Sequence, residues 1–287
     1  MGEAAQPSHG RLSVVATPIG NLDDITLRAL STLRSADLIL AEDTRTTRKL
    51  LSHHAVSTKL RAFHAHSSDA VVTRCVQELY EGRWLALVSD AGTPLISDPG
   101  ARLVRAASEH GVQVETIPGP SAVIAALAVC GLAFDSFRFA GFCPRSGGKR
   151  QHWLERIASD PGASVLFESP LRLGQLLSEL ARHLHPSRQL AVCRELTKLH
   201  EEVVRGTPAE LAERFAGGTR GEITLVVGAG EPAAPAAQDA TEASVDARIQ
   251  ALLGEGVSPR DVARQLAREL GLSRRSIYAR VSELAAR

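Results

Sequence analysis

Residues 88–100, VSDAGTPLISDPG, constrain this chain more than any other stretch. An apolar run, WLALV at 84–88, stops abruptly at Ser89-Asp90-Ala91-Gly92-Thr93-Pro94, and a second turn follows at Asp98-Pro99-Gly100 before a helical pattern begins. A buried strand that empties into a Gly/Pro-rich acidic loop and then a helix is how open α/β sheets hold ligands, beyond the carboxyl ends of their strands. Gly92 lets a ligand approach the backbone closely. Asp90 offers an acceptor for hydroxyls or a cation, and Asp98-Pro99 reads as an N-cap followed by proline at the first helical position. Taken alone, the stretch is equally explained as a long surface loop with good turn chemistry.

It is repeated. VVATPIGNL at 14–22 and VETIPGPS at 114–121 also run from strand to turn to helix. Three such loops in one domain argue for a shared cleft. The first has one glycine and no G-x-G-x-x-G, and the chain has no G-x-x-x-x-G-K-[ST], so nicotinamide and nucleoside triphosphate chemistry are disfavoured. Strands are expected at 12–16, 38–41, 60–63, 85–88 and 112–117, with amphipathic helices between them, a mostly parallel sheet covered on both faces. A helix capped by Ser121 follows. A second α/β block has strands at 137–140, 164–167, 189–193, 202–205 and 222–227, with helices near 151–159, 171–183 and 208–215. Its strands 189–193 and 202–205 are close enough to be antiparallel, which makes that sheet mixed. The expected organisation is an α/β domain at 11–118, a second at 119–230, an Ala/Pro-rich linker at 231–243 and a helical module at 244–287. The last has the grammar of a helix-turn-helix: Ser258-Pro259 opens one helix and Ser273 caps the next.

Composition excludes several classes. With 287 residues and 44 % apolar content the chain can fill two medium cores and a small one. Its net charge of +1 gives no global nucleic-acid signature, so any RNA contact must be local. Cys75, Cys130, Cys143 and Cys193 are widely spaced without a C-x-x-C pair, which fits a reducing cytoplasm and gives no metal site. Residues 1–10 lack the apolar core of a signal peptide. No apolar run approaches the roughly 18 residues of a membrane helix. A soluble cytoplasmic protein, with no membrane partner, is the expectation.

TPIGNL, AEDTR at 41–45 and SDAGTPLISDPG, in this order, closely resemble the tetrapyrrole-methylase-like enzymes that use S-adenosylmethionine (SAM). Within that class they are similar to the ribosomal RNA small subunit methyltransferase I family. The resemblance runs from about Leu12 to Gly228. It implies two αβα domains of tetrapyrrole-methylase type with SAM in the cleft between them, a small helical tail, and a homodimer. It also implies an activity: methyl transfer to the ribose 2′-oxygen of a cytidine in the decoding centre of 16S rRNA, on the small ribosomal subunit. Carried over by position, it places SAM on Pro18 and Gly20, on Asp90, Ala91, Gly92, Thr93 and Leu95, and on Ser121 and Ala122. The second domain adds Phe167, Leu196 and Ile223.

A ribose hydroxyl has a high pKa, so a general base, or a cation facing the developing alkoxide, would assist. Glu42, Asp43 and Arg45 sit just past a strand, and His64 ends the next one. Arg194, Glu195 and Lys198 reach from the opposite wall, where Lys198, like Arg45, serves a phosphate equally well. Glu42 and Arg45 are also a plausible ion pair with each other, and no single base stands out. Arg145, Lys149 and Arg150 form a short basic loop suited to backbone phosphate, as do Arg274, Arg275, Arg280 and Arg287 in the tail. Two other functions share these features. One is a methylase of a porphyrinoid or a protein side chain, against which the motif wording speaks. The other is a ligand-sensing regulator whose tail reads DNA, against which the lone basic helix speaks.

Overall fold

The computed structural model describes residues 10–230, 242–254, 257–270 and 274–285. The chain divides into two compact units, residues 1–230 and 231–287. The amino-terminal segment 1–9, most of the expected linker, Ser273 and Arg287 lie outside the described residues.

The first unit holds two five-stranded sheets. In the first, strands β1 (Arg11–Val15), β2 (Leu38–Ala41), β3 (Leu60–Ala62), β4 (Trp84–Val88) and β5 (Gln113–Ile117) lie in the order β3-β2-β4-β1-β5. Every pairing is parallel. Helices α1 (Leu27–Ser35), α2 (Thr44–His53), α3 (Asp69–Tyr80) and α4 (Ala101–Glu109) make the crossovers. Side chains alternate across a strand, so the apolar strands supply two cores. Leu12, Leu38, Leu40, Leu85 and Leu87 pack with Cys75, Leu79 and Leu103 of α3 and α4. Val15, Ile39, Ala41, Ala86 and Val88 pack with Ala29, Leu33, Leu50 and Leu51 of α1 and α2. Each fully buried leucine contributes about 1.5–3 kcal/mol. Because all five strands run the same way, the loops after β1, β2, β4 and β5 emerge at one edge, which is where the expected cleft belongs.

The second sheet contains β6 (Phe137–Phe142), β7 (Ala163–Glu168), β8 (Leu190–Arg194), β9 (Glu202–Gly206) and β10 (Ile223–Val227), in the order β6-β7-β10-β8-β9. Only β6 and β7 are parallel, so the sheet is mixed as expected, with β8 and β9 antiparallel. Helices α6 (Gly147–Ser159), α7 (Leu173–His183) and α8 (Pro208–Arg214) cover one face. Helix α5 (Ala122–Val129) covers the other, where its Val123, Ala126 and Leu127 meet Val165, Ala191 and Val226. Ile19 of the first loop joins that same core, so apolar packing locks the two halves together.

Two local readings are corrected. Helix α4 does not start at Asp98-Pro99: Gly100 occupies the N-cap with φ +128°, and helix begins at Ala101. This leaves the Asp98 side chain free for another task. Ser121 does sit at the N-cap of α5, but its side chain makes no capping bond.

The second unit contains α9 (Glu242–Gly254), α10 (Pro259–Leu270) and α11 (Arg274–Ala285). They share a small core of Ile249, Val262, Ala263, Leu266, Ile277 and Val281. Ser258 accepts a hydrogen bond from the Asp261 amide at the start of α10.

Candidate functional site

A cavity of about 460 Å³ opens where the carboxyl edge of the first sheet meets the second. That falls within the roughly 300–1,000 Å³ of small-molecule sites. The first wall is built by the loops. Thr17 and Gly92 exchange backbone hydrogen bonds of 2.9 and 3.0 Å, stitching the β1 loop to the β4 loop. The buried Ser89 hydroxyl donates to the Gly92 carbonyl at 3.2 Å, and Thr93 Oγ1 to Pro120 O at 3.4 Å. Gly92 has φ +76°, as do few residues other than glycine, and Leu95 (+76°) and Ser97 (+70°) share that left-handed region. Such non-glycine residues cost about 1–3 kcal/mol each and concentrate at ligand sites.

The second wall follows from strand register. Phe142, Phe167, Thr224 and Cys193 stand in one row across β6, β7, β10 and β8. A bulge between Phe139 and Gly141 shifts β6 by one residue, so Phe139 and Phe142 both stack edge-on against Phe167, at 5.0 and 5.5 Å. Leu196, Gly221, Glu222 and Ile223 complete this side.

Of the residues carried over for the cofactor, Asp90, Ala91, Gly92, Thr93, Ser121, Ala122, Phe167, Leu196 and Ile223 line the cavity. Pro18, Gly20 and Leu95 do not. Gly20 serves close packing instead: a Cβ there would sit 2.5 Å from Lys198 Cγ and 2.6 Å from the Leu196 carbonyl. The neighbouring Asn21 amide donates to Thr197 Oγ1 at 3.1 Å, so this loop fastens the halves.

The catalytic candidates separate. Glu42 lines the cavity, and burial and then the Asp90 charge raise its pKa. The Asp43 amide donates to Asp90 Oδ1 at 2.9 Å. The Asp43 carboxylate turns away, caps α2 and binds Arg45 at 2.6 Å. Arg45, through side-chain and backbone hydrogen bonds, holds it down to about 2. Arg45 therefore pairs with Asp43, not Glu42. Lys198 lies outside the cavity lining, bound to Glu195 at 2.8 Å and Glu222 at 3.2 Å. Burial acts to lower its pKa, but those carboxylates keep it raised. His64 lines a separate, smaller cavity of about 190 Å³.

The sequence reading missed Asp98. It lines both cavities. Burial, then the charges of Glu42 and Asp90, push its pKa up to about 6, against a lowering hydrogen bond from Ser89. Its D-P-G setting explains the miss, because capping was a sufficient local account of it. Phe142, Ser169, Pro170 and Thr224 were also missed, since they meet the cavity only through the register of the second sheet.

Among the basic candidates, Arg145 and Lys149 are exposed. Arg150 corrects the reading of a basic loop: it lies inside α6, 6 % exposed, and binds Glu179 at 2.7 Å and the Pro144 carbonyl at 2.7 Å. Arg280 is also paired, with both nitrogens on Asp246 at 2.6–2.8 Å, which neutralises it locally. Arg274 and Arg275 open α11. Among the described residues, Asp23, His53 and His54 place ligand-type atoms within 4.8 Å of one another, away from the cavity lining. There His53 Nε2 contacts Asp23 at 3.2 Å and His54 Nε2 contacts the Leu22 carbonyl at 2.9 Å.

The profile of a family described as Tetrapyrrole (Corrin/Porphyrin) Methylases matches residues 11–212, which include the whole first sheet and all of the second except β10. The ribosomal RNA small subunit methyltransferase I of Mesorhizobium japonicum is 42 % identical, over 98 % of this chain and 94 % of that protein. The chain belongs to the ribosomal RNA small subunit methyltransferase I family. Solved structures of more distant proteins share its fold. A cobalt precorrin-4 methyltransferase superposes with TM-score 0.60 at 20 % identity, over 79 % of this chain and 98 % of that one. A uroporphyrin-III C-methyltransferase of Thermus thermophilus, in complex with S-adenosyl homocysteine, gives 0.55 at 21 %, over 77 % and 98 %. Membership of the small subunit methyltransferase I family favours SAM-dependent methylation of rRNA over a porphyrinoid methylase or a DNA-reading regulator. No helix among the described residues is long and apolar enough to cross a membrane.

Proposed function

We propose that this chain transfers a methyl group from SAM to the ribose 2′-oxygen of a cytidine in the 16S rRNA of the small ribosomal subunit. The small subunit methyltransferase activity named for its relatives supports the RNA class, and the resemblance of the TPIGNL, AEDTR and SDAGTPLISDPG motifs supports the 2′-oxygen. The cavity suits the donor. Its apolar patches, Ile19, Leu196, Ile223 and Phe167, match a flat ring and an alkyl chain. The backbone of Ala91 and Thr93, on either side of the Thr17-bonded Gly92, and the Ser121 hydroxyl, free of capping duty, supply hydrogen bonds to polar groups. The carboxylates of Asp90 and Glu42 complement hydroxyls and positive charge. SAM supplies a methyl group already activated on a sulfonium, so the protein need only align and deprotonate the acceptor.

The observation that carries this reading is Asp98, a half-buried carboxyl at the cavity wall with a pKa pushed up to about 6. At neutral pH it is ionised yet more basic than an ordinary aspartate, as a general base requires. Asp98 takes the proton as the O2′–H bond breaks and the O2′–methyl bond forms, and the donor departs as the neutral thioether. Lys198 stays engaged by Glu195 and Glu222 and serves to hold the second wall. Arg145 and Lys149 are exposed at the start of the second half and suit backbone phosphate. The resemblance further implies a homodimer in the cytoplasm, which light scattering checks for mass. The activity is tested by incubating purified protein and labelled SAM with small subunits that lack the modification; label in rRNA supports it and unlabelled rRNA refutes it.

A further inference from the structure

We propose that the smaller cavity beside the donor cavity receives the nucleobase of the acceptor nucleotide, flipped out of its stack. The inference rests on the methyl-transfer reading above and adds how the acceptor is read.

The two cavities share one residue, Asp98. In a nucleoside the base is carried on C1′ and the acceptor oxygen on C2′, neighbouring carbons of one ring. A base site must therefore adjoin the group that deprotonates the 2′-hydroxyl, and this cavity does. Its volume of about 190 Å³ suits one heterocycle. Its floor is apolar: Phe63 is 3 % exposed and Val72 9 %. The lining also carries polar groups, His64 and Arg102 at the start of α4, both exposed. These groups are fixed in advance. The His64 amide donates to Ser67 Oγ at 3.0 Å, and Arg102 Nη1 donates to the Ser67 carbonyl at 3.1 Å. Arg102 is further paired with Asp69.

An apolar floor with a polar edge is what a planar base requires once unstacked. A backbone phosphate fits less well: the shared Asp98 carboxylate would repel it, and Phe63 and Val72 offer it nothing. His64 is thus a specificity residue that touches the base edge, and Phe63 and Val72 support the ring face. This gives a role to the strand-end histidine that the chemistry of methyl transfer does not use.

The test uses the full chain with two variants. Ala101→Trp fills the cavity from an exposed rim position. His64→Ala removes a polar edge group and leaves the cavity open, somewhat enlarged. Transfer is measured on reconstituted small subunits carrying either cytidine or uridine at the acceptor position, beside SAM affinity and diethyl pyrocarbonate labelling of His64 by mass spectrometry. The wild type is expected to prefer cytidine by about tenfold or more, the size of one good base contact. His64→Ala should shrink that preference while SAM affinity stays unchanged. Ala101→Trp should lose about tenfold or more in kcat/KM, again with SAM still bound. Subunits, but not SAM, should protect His64 from labelling. A preference unchanged in His64→Ala overturns the proposal, including the case where Ala101→Trp slows both substrates equally, the signature of a backbone site. Wild-type protein that methylates neither substrate overturns the methyl-transfer reading itself.

Discussion

Replacing Asp98 by asparagine separates its catalytic role from its structural cost, because the two move in opposite directions. The carboxyl rises from 3.8 to about 6 through burial and the charges of Glu42 and Asp90. The folded protein therefore holds this proton more tightly than the unfolded chain does. Native stability falls as pH rises from about 4 to 6, and the loss is complete above that window. Two pH units are worth about 3 kcal/mol in full. Water reaches this half-buried group and screens it, so about 1 kcal/mol is the working figure. Asp98→Asn should accordingly be about 1 kcal/mol more stable than wild type at pH 8 in urea unfolding, with the difference fading by pH 4. Its methyl transfer should fall by about 10²–10⁴, the usual worth of a general base. For the wild type, kcat/KM should rise through about pH 6 and then level off, since kcat/KM reports the free enzyme. An Asn variant with wild-type kcat/KM, or one less stable at pH 8 than at pH 4 relative to wild type, would refute the assignment.

Gly92→Val should lower fold stability by about 1–3 kcal/mol in denaturant unfolding, the cost of a β-branched residue at φ +76°, and weaken SAM binding in calorimetry, because the new side chain covers backbone that a ligand approaches. The added Cβ itself would meet nothing nearer than Ile19 Cγ2 at 3.4 Å, so strain and not collision within the protein carries the stability loss. Arg150→Ala should destabilise the chain by about 3–5 kcal/mol in denaturant unfolding, because it strands Glu179 without its buried partner. Removing residues 231–287, a separate compact unit, should leave SAM affinity intact and weaken methylation of small subunits at low salt, with the two proteins converging as salt rises. Equal rates for both proteins at low salt would assign the tail to another role.

The sheets were legible because their strands are short apolar runs bounded by turns, and the observed ends differ from the expected ones by a residue or two. The first wall was legible for the same reason: its loops follow strands whose direction the alternation already dictates. Asp98 was hidden by its neighbours. Proline and glycine after an aspartate satisfy a capping pattern locally, and only the placement of Gly100 at the cap, after positive φ at Leu95 and Ser97, releases the carboxyl. Arg150 was misplaced by composition, although a signal existed: Arg150, Trp153, Leu154 and Ile157 recur at helical spacing, which puts the arginine on the buried face. The second wall carried no local signal. Phe142 reaches Phe167 only because of the bulge before it, and Thr224 meets Cys193 through an antiparallel register between distant segments.

The central claim is that the Asp98 cavity directs a methyl group onto a ribose oxygen of small-subunit RNA. Labelled SAM, wild-type protein and small subunits lacking the modification test it in one reaction, followed by nuclease digestion and mass spectrometry of the nucleosides. The account predicts a single labelled product, 2′-O-methylcytidine, formed about 10²–10⁴ times more slowly when Asp98→Asn replaces the wild type. Label on a nucleobase, on ribosomal protein or nowhere, with SAM shown to bind, would contradict it.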